Sequence, residues 1–295
     1  MLVGDVPCST LTWFSHSLVQ CRLTEGQGSN LIVRLVAGGQ SAVAAARYSF
    51  DAPSITGVSA SFAEASNGSA STRAPTAGMA GVFNITGNNF GLDKATPAAV
   101  VTFGGFGGPY TFLGANVVVI SHTLIQCDIP AGYGTNLEVR VTVGGQNSTA
   151  ATYTLSYQAP SISSLDYAPS SPAGGGRLTI NGFNFGATNT SFSGVATAFV
   201  SATACTQTIW VAHNQLVCIV PPLNGQGQNL PVTVTVGGQT SAVTPAASFS
   251  YANPFITSIA YDASAPTSGS TLLTLNGLQL GSLTFPPVIR IGNIC

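Results

Sequence analysis

The chain has 295 residues, of which 45% are apolar and only 6% charged, and its net charge is −1. An average soluble protein carries about 25% charged residues. Eight basic side chains, scattered singly, cannot form the Lys/Arg field that displaces counterions from phosphates, which excludes nucleic acid as a partner and argues equally against anionic membrane surfaces.

Gly, Ser, Thr, Val, Ala and Asn dominate, a composition suited to many short strands joined by tight turns. No apolar run reaches the roughly 18 residues of a membrane-spanning helix, so no membrane insertion is expected in this segment. The opening MLVGDVPCST shows no basic stretch followed by an apolar one, and hence no visible signal peptide.

In chain order, residues 1–52 hold FSHSLVQC (14–21), a GQGSNL turn (26–31), a strand ending at Gly38-Gly39-Gln40 and a closing RYSFDAP (47–53). Residues 53–159 begin with APSITGVSA (52–60), pass through a polar insertion (61–78) and continue with GVFNITGNNFG (81–91). The earlier order then returns as ISHTLIQC (120–127), GYGTNL (132–137), Gly144-Gly145-Gln146 and YTLSYQAP (153–160). Residues 160–253 repeat the whole series: APSISSLDY (159–167), GRLTINGFNFG (176–186), VAHNQLVC (211–218), GQGQNL (225–230), Gly237-Gly238-Gln239 and SFSYANP (248–254). Residues 254–295 carry only the opening segments, NPFITSIAY (253–261) and STLLTLNGLQLG (270–281), before IRIGNIC (289–295). A fixed period of about 100 residues built from short alternating strands predicts tandem two-sheet β-sandwiches. Phe83 and Ile85, Leu178 and Ile180, and Leu273 and Leu275 fall on one face, with Asn84, Thr179 and Thr274 opposite.

The three histidines, His16, His122 and His213, each stand five positions before a cysteine. A metal site needs three or four convergent ligands, and no acid or second histidine accompanies them at fixed spacing. Catalysis by a Cys-His pair needs a free thiolate, whereas two of the three cysteines have an obvious partner. The motif therefore reads as a turn between two strands. No phosphate-binding glycine loop, nucleophile elbow or HExxH motif occurs, and the nine acids are dispersed. No enzymatic activity, metal or cofactor is expected.

The P-x-I openings, the Gly-x-Leu-Thr-Ile-x-Gly-x-Asn-Phe-Gly segment (176–186), the C-x12-C pair, the Gly-Gly turn and the closing Phe-x-Tyr (249–251) together resemble the immunoglobulin-like IPT/TIG domains. The resemblance covers essentially the whole chain. It implies an all-β fold of tandem immunoglobulin-like sandwiches, and binding or scaffold roles. Some such domains bind DNA through basic loops, which this chain lacks. Two departures fall in the second repeat: the 61–78 insertion, and Gly114 where the first cysteine of the pair belongs.

Cys8 with Cys21 and Cys205 with Cys218 share one spacing and one place in the repeat, which points to two intradomain disulfides rather than pairs of buried thiols, and to an oxidising compartment. Cys127 then reads as a small buried apolar residue. Cys295 can bridge to another chain or await a partner. Four N-x-S/T sequons, at Asn67, Asn84, Asn147 and Asn189, all read as accessible and favour glycosylation in a eukaryotic host. Trp13 and Trp210, at one repeat position, are expected to pack within their sandwiches, because Val119 holds that place in the second repeat.

Residues 1–52 and 254–295 read as complementary parts of one sandwich that overlap by about one strand, near LVGDVPC and IRIGNIC. These features point to an extracellular or cell-surface structural or adhesive protein that associates with itself head to tail into a fibre. The alternatives are an arbitrary excerpt of a longer array, or the stalk or ectodomain segment of a receptor or adhesin that binds protein or glycan.

Overall fold

In the computed structural model the period-2 segments become strands, and residues 1–4, 6–60, 73–91, 98–104, 111–149, 153–186, 196–222, 227–261, 266–281 and 286–292 are described. Most of the 61–78 insertion, Asn67, Asn189 and Cys295 lie outside them. The chain divides into two units, Met1–Gln158 and Ala159–Cys295.

The first unit begins with β1 (Leu2–Val3), β2 (Val6–Ser15), β3 (Leu18–Leu23), β4 (Leu31–Ala37) and β5 (Gln40–Tyr48), joined in one sheet ordered β3-β2-β1-β4-β5. A full sandwich follows. Its strands are β6 (Ser54–Ala60), β7 (Arg73–Ala74), β8 (Met79–Asn88), β9 (Val100–Phe103), β10 (Phe112–Leu113), β11 (Ala115–Ser121), β12 (Leu124–Ile129), β13 (Leu137–Val143), β14 (Gln146–Asn147) and β15 (Thr154–Tyr157). One layer is β11-β12-β8-β6 and the other β10-β9-β13-β15-β7, with β14 turning back on β13.

The second unit repeats this plan with β16 (Ser161–Tyr167), β17 (Arg177–Phe183), β18 (Ala196–Val200), β19 (Thr203–Ala204), β20 (Gln207–Ala212), β21 (Gln215–Ile219), β22 (Leu230–Val236), β23 (Gln239–Thr240) and β24 (Ser248–Phe249). Its layers are β16-β17-β21-β20 and β19-β18-β22-β23, with β24 also on β22. A separate two-stranded sheet, β25 (Phe255–Tyr261) with β26 (Leu273–Leu278), ends the described fold.

Alternation fills both cores. Phe83, Ile85, Ile125 and Cys127 from one layer, and Val101, Phe103, Val139 and Val141 from the other, are each no more than 2% exposed. The Phe83 and Phe103 rings meet edge to face between the layers, with centroids 5.2 Å apart. In the next sandwich Leu178, Ile180, Leu216 and Cys218 oppose Ala198, Val200, Val232 and Val234 in the same way. Burying each such aliphatic side chain contributes about 1.5–3 kcal/mol.

The repeated turns have a physical cause. Each Gly-Gly pair holds positive φ at both positions, 57° and 77° at Gly38 and Gly39, and 55° and 78° at Gly144 and Gly145. That is the backbone of a tight hairpin that matches strand twist, and glycine adopts it without a Cβ penalty. In the G-x-G-x-N-L turns the asparagine is left-handed, with φ of 57° at Asn30, 54° at Asn136 and 54° at Asn229. Their amides donate to Ser49 Oγ, Ser156 Oγ and Ser250 Oγ at 2.9, 2.9 and 3.0 Å. The closing aromatic of each repeat is tied to the same turn: Phe50, Tyr157 and Tyr251 donate their amides to the carbonyls of Gly28, Gly134 and Gly227 at 2.9, 2.8 and 2.7 Å. Tyr157 and Tyr251 add hydroxyl bonds to the Pro130 and Pro221 carbonyls at 2.7 and 2.6 Å, and burial pushes both hydroxyls above the ordinary tyrosine range.

Candidate interaction surfaces

The histidines lie in two-residue turns between β2 and β3, β11 and β12, and β20 and β21, with exposed side chains. Their useful atom is the carbonyl. Phe90 and Phe185, both 0% exposed, donate their amides to the carbonyls of His122 and His213 at 3.0 and 2.9 Å. The next residues, Thr123 and Asn214, accept from Gly87 and Gly182 in the same manner, at 3.0 and 2.9 Å. The His turn is therefore a latch for the Gly-x-Asn-Phe bend. Among the described residues no three His, Cys, Asp or Glu side chains gather around an ion position, and no helix is long and apolar enough to cross a membrane.

Cys8 on β2 is bonded to Cys21 on the neighbouring β3, and Cys205, between β19 and β20, to Cys218 on β21. Cys127 is 1% exposed and unpaired, and desolvation, with the neighbouring Asp128 carboxylate, pushes its thiol up to about 12. Gly114 stands where its partner would be. A Cβ on Gly114 would lie 3.5 Å from Cys127 Sγ and 3.1 Å from Val101 Cβ. The Gly114→Cys variant is expected to form a third staple and raise the stability of this sandwich by up to about 3 kcal/mol, less the cost of crowding Val101. Thiol counting and thermal unfolding, with and without reductant, check it. A folded variant in which the introduced thiol stays free would refute the pairing.

Asn84 falls on the side of its strand opposite buried Phe83 and Ile85, where it is half-buried and accepts from Gln126 Nε2 at 3.1 Å, because the neighbouring strand offers a long amide directly across. Asn147 is exposed, and its Oδ1 accepts from Thr142 Oγ1 at 2.7 Å. The expectation for Trp13 needs correction. Trp210 is half-buried and donates its indole N–H to the Phe185 carbonyl at 3.0 Å, whereas Trp13 is 69% exposed. Trp13 lies on β2, in a sheet with no strand that matches β17, whereas Trp210 on β20 shares a sheet with β21, β17 and β16 and reaches the bend that follows β17.

The junction between the β1–β5 sheet and the sandwich after it is close-fitting. Gln146, the residue after the Gly-Gly pair, donates its side-chain N–H to the Phe50 carbonyl at 3.0 Å. Asn89 donates to the Ala52 carbonyl at 3.1 Å. A Cβ on Gly144 would come within 2.5 Å of the Gly28 amide nitrogen, and one on Gly91 would strike the Gln27 side chain and lie 3.2 Å from Val143 Cγ1. The Gly-Gly-Gln turn of one repeat is thus seated on the G-x-G turn of the repeat before it. Sequence reading missed this contact; the signal was the glutamine that follows the Gly-Gly hairpin of each repeat, Gln40, Gln146 and Gln239. A cleft of about 360 Å³ beside the junction is bounded by Glu25, Tyr48, Phe50, Asp51, Asn89 and His122.

Both partial sheets expose large apolar side chains, distributed over their two sides. On the β1–β5 sheet Leu11, Phe14, Leu18, Val36 and Val43 are all at least 50% exposed. In the β25–β26 pair Phe255, Ile259, Tyr261 and Leu278 are all at least 55% exposed. Beside that pair, a groove of about 740 Å³ runs between Gly227, Gln228 and Tyr251 on one wall and Leu275, Gln279 and Gly281 on the other.

The chain is similar to the extracellular region of plexin A4, with 18% identity over 70% of this chain and 16% of that one, at a TM-score of 0.32. It is also similar to the surface glycan-binding protein PbSGBP-B from Prevotella bryantii, with 13% identity over 65% of this chain and 41% of that one, at a TM-score of 0.37. A third is SGBP-B from a complex xyloglucan utilization locus in Bacteroides uniformis, with 16% identity over 75% of this chain and 58% of that one, at a TM-score of 0.25. The chain thus spans between 16% and 58% of the length of these three proteins. The IPT/TIG domain model matches twice in tandem, at residues 66–157 and 160–251, more than half of the sequence. With its latched bends, Gly-Gly hairpins and paired β-layers, the chain belongs to the IPT/TIG domain family.

Proposed function

We propose that this chain is a structural segment of an extracellular or cell-surface array that associates end to end with further copies of itself. The supporting observation is that the two partial sheets carry, at half-buried positions, the residues that fill the core of the 160–251 sandwich. There β17 pairs with β21, with Leu178 opposite Cys218 and Ile180 opposite Leu216. The matching positions are Leu273 and Leu275 on β26, and Cys21 and Val19 on β3. Adding β26 of one copy to β3 of another sets Leu273 opposite Cys21 and Leu275 opposite Val19. The strand edge is satisfied, and the side of each sheet that carries these residues becomes core. Residues 288–292 of one copy and β1 of the other then occupy equivalent positions, so one of them stays outside the shared sandwich. A contact of this head-to-tail kind continues indefinitely unless its rotation closes a ring. The disulfides suit an oxidising compartment. Among the sequons, exposed Asn147 suits a glycan better than half-buried Asn84.

Light scattering after size exclusion, with electron microscopy, tests the reading. The expected result is concentration-dependent oligomers that extend linearly, and their loss in Leu275→Asp with the melting of the 160–251 sandwich unchanged. A chain that stays monomeric at every concentration would sink the reading. A second reading, the stalk or ectodomain segment of a glycan- or protein-binding surface molecule, draws on the 69% exposure of Trp13 and the 53% exposure of Phe14, flat apolar faces suited to a sugar ring.

A further inference from the structure

We infer that the groove between the Gly227–Gln228 turn and β26 is the seat for the Ala37–Gln40 turn of a second copy, an inference that rests on the shared sandwich proposed above. In the first unit the equivalent seat is occupied within the chain. There the turn from Val143 to Gln146 sits against Gly28, Phe50, Asn89 and Gly91. The corresponding walls in the second unit are Gly227, Tyr251, Gln279 and Gly281, and all four line the 740 Å³ groove. The walls correspond in conformation as well as in sequence. Gly28 and Gly227 accept the amides of Phe50 and Tyr251 at 2.9 and 2.7 Å, and Asn89 and Gln279 share a left-handed φ, 62° and 54°.

The occupant is equally well marked. Ala37 pairs with Gln40 across its hairpin as Val143 pairs with Gln146. The Gly38-Gly39 backbone has nearly the same φ values as Gly144-Gly145. In this chain a Cβ on Gly38 or Gly39 would meet nothing within 4 Å, so the turn is free to dock. Seated in the groove, Gly38 lies over Gly227, Ala37 packs on Gly281, and Gln40 donates its side-chain N–H to the Tyr251 carbonyl of the other copy. The apolar lining of the groove, with Leu275 beside the polar turn, fits an occupant that brings Ala37 together with one amide side chain.

The two glycines separate docking from folding. At the occupied junction a Cβ on Gly144 collides with Gly28, while one on Gly145 meets nothing. Asparagine tolerates left-handed backbone at either position. Gly38→Asn is therefore expected to weaken self-association at least tenfold, Gln40→Ala about fivefold and Gly39→Asn not at all, by sedimentation equilibrium of the full chain. Unchanged thermal unfolding of all three variants shows that the hairpin is intact. Wild-type chains that associate with Gly38→Asn and Gly39→Asn behaving alike would overturn the groove assignment and leave the shared sandwich standing. Wild-type chains that do not associate overturn both. In a Cys295→Ser background, mixing Gly38→Cys chains with Gly227→Cys chains under oxidant is expected to give covalent dimers that neither variant forms alone; no dimer from a mixture that associates overturns the seat.

Discussion

Replacing Phe185 with alanine is expected to destabilise the 160–251 sandwich by about 4 kcal/mol and lower its melting temperature by roughly 15–30 °C. The ring is 0% exposed and packs against Gly182, where even a Cβ would lie 2.6 Å from Cζ. No neighbour can move in without bending the Gly-x-Asn-Phe turn, because its amide is fixed on His213 and its carbonyl on Trp210, at 2.9 and 3.0 Å. The cavity therefore stays open, which is the costly case for a truncation. Calorimetry of the whole chain checks it: the transition of the second unit should fall while that of the first stays in place. A shift of only a few degrees would show that the bend, not the ring, carries the stability.

The second large effect is expected from the double variant Cys205→Ala, Cys218→Ala. The two cysteines are separated by 13 positions, and a loop of this size is worth about 3 kcal/mol in the chain-entropy model. Cys218 is 0% exposed and Cys205 9% exposed, so the alanines also leave a small void between the layers. Urea unfolding should show a lower midpoint with little change of slope, since the surface exposed on unfolding is nearly the same. A midpoint equal to that of the parent chain would mean that the staple adds nothing to the packing around the β19–β20 connection.

The repeat, the strand alternation and the His turn were legible in the sequence because each is local. A cysteine five positions after a histidine, a left-handed asparagine before a leucine and paired glycines before a glutamine record backbone geometry directly. What escaped was set across distance. Gln146 and Phe50 are 96 positions apart, and nothing around either residue announces the other. The half-burial of Asn84 depends on Gln126 in a facing strand 42 positions away. The exposure of Trp13 depends on which strands join its sheet, whereas Trp210, in the same motif, finds a carbonyl in the bend after β17.

Because Gly114 faces Cys127, the 66–157 sandwich is held together without a covalent staple, unlike the sandwich after it. Under a pulling force this difference sets what each link can yield. The unstapled link can unravel along its whole contour, releasing about 300 Å of slack at the ~3.3 Å per residue of extended backbone. Its neighbour keeps the segment between Cys205 and Cys218 locked even when every hydrogen bond has parted, so the string has one extensible element beside a stiffer one.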